Sequence, residues 1–537
     1  MSDHRRLFLT FPLVILICAL LGGAFGPSLN GVAVASAAGD DDIQKSLKIF
    51  TKVYDVVSEN SAEQLDPDKA IYKGAIIGML RTLDPHSSFF DPRDFRLLRE
   101  DQRGHYFGVG MIVAPRSSKT IVIAPFPGSP AYKAGIRPGD VILEVNDRRT
   151  DNLTTTEVAD LLKGPRGTAV QVVVARPGAE KPITFNIVRD EIPRKSVQDA
   201  FWLKPGVAYL DIDSFNENTG KEVEDNLKRL GEQNIEALIL DLRDNPGGLL
   251  SEGVSVSDRF LEKGQTIVSH RGRSSPEKRY VARQGARGKQ DPIVVLVNRY
   301  SASAAEIVAG ALQDHDRAWI IGENTFGKGL VQTVYPLTGN TGLALTTAKY
   351  YTPSDRLIQR DYSNTSFLDY YYHNDLDQKN PLDVKMTDSG RTVYGGGGIA
   401  PDEKFTTPKL SPFQTELLFR KYAFFGFTAK YFGSRESTKL AKGWEPDQAI
   451  ITEFHDYLLK QNVKFTEAEF SGNLPWIKEQ LKREFYLTAF GTEDARRYVV
   501  ETDPMVIKAV EAIPQSKELL ATAKKMIVQR LSKQSNK

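Results

Sequence analysis

Between residues 205 and 350, four apolar segments, "GVAYLDI", "EALILDLRD", "PIVVLVN" and "RAWIIGE", alternate with stretches of helical periodicity near 218 to 233, near 249 to 262 and from Ser303 onward. Apolar runs of this kind, separated by helices, bury both faces and satisfy their backbone hydrogen bonds as neighbouring strands of a largely parallel sheet. The pattern predicts an α/β core. It also says where chemistry gathers, because ligands of such sheets bind beyond the carboxyl ends of the strands.

A chain of 537 residues is longer than one such core requires, and its texture changes on both sides. Residues 41–100 show helical patterning in "IQKSLKIFTKVYDVVSEN" and "DKAIYKGAIIGMLRTL"; residues 104–190 carry short β-type runs and one helical stretch, "TTTEVADLLKG". A polar, Tyr- and Gly-rich stretch over about 359–395 reads as an irregular insertion, and residues 410–537 return to helical periodicity, for which packing or oligomerisation is the expectation. With 70 Lys+Arg against 68 Asp+Glu, no whole-chain charge points to nucleic acid.

The amino terminus, "DHRR" followed by an uncharged run from Leu7 to Phe25 and then "GVAVASAAGDDD", reads as an export signal over residues 1–38. Ala33-Val34-Ala35 and Ala35-Ser36-Ala37 both offer cleavage sites, yet a run of this length also serves as a membrane anchor if left uncut. The expected location is outside the cytoplasm, in a bacterial periplasm or cell envelope. The sole cysteine, Cys18, lies inside this run, so the mature chain has no thiol chemistry.

Chemistry concentrates at three strand ends. In "NRYSASAAEIVAGALQD", residues 298–314, Ser303 falls at a helix amino terminus, where unpaired N–H groups favour developing negative charge; Ser301 or Ser303 also reads simply as a helix cap. No histidine is placed to activate Ser303: His315 lies about 18 Å down the same helix, at 1.5 Å per residue. His86 and His270 have no context that singles them out and read as surface or structural residues.

"GENTFGKGLVQTVYPL", residues 322–337, superficially begins a phosphate-binding loop, but Gly329 replaces the required hydroxyl and a strand pattern follows instead of a helix. On that strand Lys328 and Gln332 share a face, so Gln332 can orient the Lys328 amine. A desolvated lysine can act as a general base toward a serine; an exposed strand lysine is the plain alternative. In "LDLRDNPGGLL", residues 240–250, Gly247 or Gly248 can supply one oxyanion donor and the Ala304 N–H another, or the glycines form only a turn.

Taken together, "DLRDNPGG", "NRYSASAAEIVAGALQD", "GENTFGKGLVQ", "LTTAKYYTPS" and "GGIAPD" occur in an order that resembles the carboxyl-terminal processing, or tail-specific, proteases, which are Ser-Lys peptidases. "GVGMIV", "GSPAYKAGIRPGDVILEVND" and "LLKGPRGT" resemble their PDZ domain, and "GAIIGMLRTLDPHSSFFDP" their amino-terminal helical region. The resemblance implies a multidomain α/β chain: a helical region over 41–100, a β-rich PDZ domain over 104–190, a protease core with a mainly parallel sheet over 191–409, and a helical carboxyl-terminal extension over 410–537.

It further implies Ser303, not Ser301, as nucleophile, Lys328 as base, Gln332 as its orienting partner, and an oxyanion hole from Gly247 or Gly248 with Ala304. The PDZ domain would hold a substrate's carboxyl terminus through backbone around Gly108, Val109 and Gly110. Val158, Leu161 and Leu162 can line its side-chain pocket or belong to the domain core, and Lys163 and Arg166 either touch the core or are solvated. No metal or cofactor is expected. The rival readings are a catalytically silent PDZ scaffold and a small-ligand or acyl-CoA enzyme. Oligomers formed through the helical extensions are expected from the resemblance alone.

Overall fold

The computed structural model describes residues 37–116, 118–286, 289–363, 369–370, 380–406, 408–433, 440–441 and 443–535. The expected export segment lies outside them as far as residue 36. Among the described residues no helix is long and apolar enough to cross a membrane. The chain divides into two units, Met1–Met79 and Leu80–Lys537. In the first, the helix Ala37–Asn60 is followed by a π-helical turn, Lys69–Ala75.

The centre of the second unit is a six-stranded sheet. Its strands are β1 (Val197–Lys204), β2 (Val207–Ile212), β3 (Ala237–Asp241), β4 (Ile293–Val297), β5 (Trp319–Gly322) and β6 (Glu403–Lys404), neighbours in that order. Only β1 runs antiparallel to its neighbour; β2 through β6 are parallel. Alternate side chains go to opposite faces. Ala208, Leu210, Leu238, Leu240, Val295 and Val297 pack with residues of α1 (Thr219–Arg229), α2 (Leu250–Asp258) and α3 (Ala304–Asp314).

Tyr209, Ile239, Val294, Leu296 and Ile321 occupy the other face, against Val500, Met505, Val506, Ala509 and Ala512. These belong to the last helices, α4 (Thr492–Thr502), α5 (Pro504–Glu511) and the start of the chain leading into α6 (Ile513–Ser535). The strands are therefore apolar on both sides for a concrete reason: the end of the chain returns to cover the second face. Earlier in the extension, Phe424, Phe427, Phe454 and Phe485 build a separate aromatic core, with Phe424 stacked on Phe454 at 5.0 Å.

Two further modules frame the site. An antiparallel sheet carries Leu330–Pro336 beside Gly342–Tyr351, which also pairs with Ser88–Phe90 and Thr266–Gly272. The β-rich module has a six-stranded antiparallel sheet and two helices, the short Pro130–Ala134 and the longer Thr155–Leu162, whose start is fixed by a Thr154–Glu157 capping box.

The stretch read as an irregular insertion contains a β-hairpin among its described residues, Asn380–Met386 with Thr392–Gly395. Leu382-Asp383-Val384-Lys385-Met386 does alternate apolar and polar residues, a strand signal that the surrounding Tyr- and Gly-rich sequence masked. Tertiary contacts hold it: Arg391 bonds Asp316 at 2.7 Å, and His315 bonds Asp388 at 2.7 Å. The hairpin thus docks at the carboxyl end of α3. Met505 is 1% exposed beneath the sheet; Met505→Ala should lower the unfolding free energy by about 2–5 kcal/mol, measured by urea denaturation.

Candidate active site

The turn from β4 into α3 is tied before it reaches Ser303. Ser301 is fully buried; its hydroxyl donates to Leu242 O at 2.7 Å and accepts from Asn298 N at 2.9 Å. Its hydroxyl is thereby engaged within the loop. Ser303 follows at φ 55°, ψ −112°. For a non-glycine residue such a backbone stores about 1–3 kcal/mol of strain and persists only where its surroundings over-determine it.

Those surroundings centre on Glu306, which is 0% exposed. One of its oxygens, Oε2, accepts from Ser303 N at 2.8 Å and from Lys328 N at 2.9 Å. The other, Oε1, accepts from Thr325 Oγ1 at 2.5 Å and Gly327 N at 2.7 Å. Burial pushes the Glu306 carboxyl up, while these four donors pull it down. On the opposite side Tyr350 Oη contacts Ser303 O, at 3.1 Å, and also Lys328 O. Serine and lysine are thus clamped through both their amides and their carbonyls.

Lys328 enters the Leu330–Pro336 strand with its Nζ donating to Gln332 Oε1 at 2.9 Å. Gln332 Nε2 in turn donates to His86 O at 2.6 Å. Burial lowers the Lys328 pKa below the ordinary lysine value, against the opposing pull of Glu306 and Asp84. Close packing requires Gly329: its N–H bonds Gln359 Oε1 at 2.9 Å, and a Cβ there would lie 2.8 Å from Gln359 N. Among the described residues no hydrogen bond joins Lys328 Nζ to Ser303 Oγ, although both residues line one cleft.

The glycine turn lies directly against this pair. A Cβ on Gly247 would sit 2.7 Å from Ser303 Cβ and 2.8 Å from Ala304 N. Gly247 N is itself committed to Asn245 Oδ1 at 2.8 Å, so Gly247 is corrected from oxyanion donor to support for the turn. Gly248, at φ +146°, is pressed against Phe215, whose N bonds Gly247 O and whose O accepts from Leu249 N. Neither Gly248 N nor Ala304 N donates to a partner among the described residues, and Ala304 begins α3 with the positive end of its dipole.

The cleft, about 1,760 Å³, runs on to the β-rich module, where Val109, Gly110, Met111, Ala159 and Leu162 line it. Gly110, at φ +77°, has room only for hydrogen, since a Cβ would meet Ser129 Cβ at 2.5 Å. Gly108 and Val158 do not line the cleft. Gly108 ends a strand paired with Asp190, and Val158, 0% exposed, is interior to the module. Lys163 pairs with Glu100 at 2.6 Å, and Arg166 with Asp190 at 2.8 Å.

Sequence reasoning did not find Glu306, Tyr350 or the 84–87 turn. Ser303 and Glu306 do form the S-x-x-E spacing of a capping box, a usable signal. Asp84 accepts from His86 N at 2.8 Å, Ser87 N at 2.7 Å and Thr346 Oγ1 at 3.1 Å, which fixes the carbonyl that holds Gln332. The His86 ring bonds Tyr370 Oη at 3.0 Å; burial first, then Lys328, lower its pKa to about 3, so it is neutral near pH 7.

Residues 206–363 match the sequence model of peptidase family S41, and residues 121–176 that of a PDZ domain. The chain is 40% identical to the carboxy-terminal-processing protease of Bartonella bacilliformis, over 62% of this chain and 77% of that one. It is 32% identical to the carboxy-terminal processing protease CtpB of Bacillus subtilis, over 66% and 74%. Among solved structures it is similar to the photosystem II D1 C-terminal processing protease, at 31% identity, covering 64% of this chain and 84% of that chain with a TM-score of 0.34.

A glutamine at 306 offers one acceptor oxygen and an NH2 group to four donors. Glu306→Gln should therefore lower the unfolding free energy by about 1–3 kcal/mol, read by guanidinium denaturation against the unaltered chain.

Proposed function

We propose that this chain, which belongs to peptidase family S41 and within it to the carboxy-terminal-processing proteases, is an exported serine endopeptidase that captures protein or peptide carboxyl termini on its PDZ domain and cleaves by a Ser-Lys acyl-enzyme route. The observation that carries this reading is the shared clamp: Glu306 Oε2 accepts the amides of both Ser303 and Lys328. Export rests on the apolar Leu7–Phe25 run and the small residues after it.

In the reaction, neutral Lys328 Nζ removes the Ser303 Oγ proton as Oγ attacks the scissile carbonyl carbon. Gln332 takes one Nζ–H, which leaves the amine lone pair for the serine. The two groups meet in the reacting state; catalytic hydrogen bonds commonly tighten only there. The tetrahedral oxyanion is held by Gly248 N–H and Ala304 N–H. Collapse breaks the C–N bond, and the Lys328 ammonium returns its proton to the leaving amine. Water, deprotonated by the same amine, then attacks the acyl ester; the C–Oγ bond breaks and the Lys328 ammonium returns its proton to Ser303 Oγ.

The PDZ face and Ser303 open on one cleft, so a bound chain end can lead its upstream residues to the nucleophile. Peptides with free and amidated carboxyl ends test both halves of the reading. Ser303→Ala should abolish turnover of either peptide, and amidation should slow the unaltered enzyme. Equal turnover by enzyme and Ser303→Ala would defeat the assignment, while tight binding without turnover by the unaltered chain would favour a scaffold.

The base is active only when deprotonated, and burial lowers its pKa, so kcat/KM should climb with pH through a midpoint below that of free lysine. Lys328→Ala should lose that limb of the profile, and an identical limb in the variant would remove lysine from the mechanism.

A further inference from the structure

Arg243 lies between β3 and the turn that carries Gly248, and it is held by two carboxylates, its near neighbour Asp241 and the remote Asp503. Its Nε and one terminal nitrogen bond the Asp241 carboxylate at 3.0 and 2.6 Å. The other terminal nitrogen bonds Asp503 Oδ2 at 2.7 Å. Asp503 is the N-cap of α5: its second oxygen, Oδ1, accepts from Met505 N at 2.7 Å and Val506 N at 3.3 Å. One oxygen therefore starts the helix while the other grips the arginine.

From Arg243 the constraint passes residue by residue into the oxyanion turn. Arg243 N bonds Asp241 Oδ1 at 3.0 Å, and Asp241 Oδ2 accepts from Tyr209 Oη at 2.8 Å. Asp244, at φ 58°, exchanges two bonds with the Asn298 side chain, at 3.0 and 2.9 Å. Asn245 donates from Nδ2 to Ile212 O at 2.6 Å, and its Oδ1 accepts from Gly247 N. Its carbonyl accepts from Ala302 N at 2.9 Å, one residue before the nucleophile.

We propose that Asp503 is a positioning residue for the oxyanion turn, so that the carboxyl-terminal extension is a working part of the active site as well as a cover for the sheet. A planar guanidinium held by two carboxylates has its orientation fixed at both edges; removing one frees that edge and relaxes the start of the turn. Misplacement of an oxyanion donor by a fraction of an ångström weakens the transition state while leaving substrate capture on the PDZ face untouched. Asp503 lies well beyond residue 363, where the match to the protease family ends. The inference rests on the proposed role of Gly248 and Ala304.

Asp503→Asn is the discriminating variant, because asparagine caps a helix as well as aspartate does but lacks the charge that holds Arg243. In the full-length chain, kcat should fall about tenfold, less than the 10²–10³ typical of deleting an oxyanion donor outright, with KM changed by less than about twofold. Affinity for a peptide aldehyde, whose adduct with Ser303 places a tetrahedral oxygen in the hole, should fall by a similar factor. Loss of one charge-assisted hydrogen bond should lower the thermal unfolding midpoint by only a few degrees, and the loss of kcat should persist at temperatures well below it.

Unchanged kcat and aldehyde affinity would overturn the proposal, as would losses that vanish at temperatures well below the unfolding midpoint. Ser303→Ala, run beside it, separates the two levels. If it turns over substrate like the unaltered enzyme, the peptidase reading itself fails. If it is inactive while Asp503→Asn is unimpaired, only the role of Asp503 fails.

Discussion

A carboxylate shut away from water is tolerable in a protein when donors occupy its oxygens, and Glu306 takes its four from the corner at Ser303 and from the 325–328 loop. Because the donors come from two chain segments, satisfying the charge and joining the segments are the same event. The strained backbone at Ser303 is held by this arrangement, with Tyr350 closing it from the carbonyl side. Lys328 is buried by the same closure, and burial is what moves its ammonium toward the neutral form. Position, strain and basicity have one origin.

The rest of the second unit keeps that junction rigid from three directions. At the far end of α3, Arg356 bonds Asp314 at 2.7 Å with neither side chain meaningfully exposed, and Arg391 of the hairpin bonds Asp316. Acidic residues at a helix carboxyl terminus are poorly placed against its dipole, and these two arginines supply the missing positive charge. From the antiparallel sheet, the Asp84 turn fixes the carbonyl that holds Gln332. Beneath the central sheet, α4 and α5 complete the second apolar face and bring Asp503 to Arg243.

The cleft itself shows how one chain combines capture with a reactive corner. Gly110, Leu162, Gly248, Ser303 and Lys328 line one continuous space, and Gly247 lies directly against Ser303. Glycine is required at two of these positions for packing: a Cβ would meet Ser129 at Gly110 and Phe215 at Gly248.

Much of this was legible in the residues. Uniformly apolar strands alternating with helices declared a parallel sheet, because only burial on both faces makes such strands soluble in a fold. The bond from Lys328 to Gln332 was legible as two side chains on one strand face, whereas Ser303 read equally as a helix cap and its role as nucleophile came only from the resemblance. What covers the second face of the sheet was not readable, since the extension that covers it has no fixed spacing from β2 or β3. Glu306 looked like one more polar residue on a helix, and its role came from the 325–328 loop arriving beside it. Val158 and Leu162, four residues apart on one helix, were indistinguishable by pattern; both pack into the module's core, and of the two only Leu162 also lines the cleft. Gly247 and Gly248 were equally open as donors until the fold turned Asn245 back onto one of them. Local periodicity fixes which elements form and which side chains share a face; partners far apart in sequence are chosen only when closure of the fold brings their donors and acceptors together.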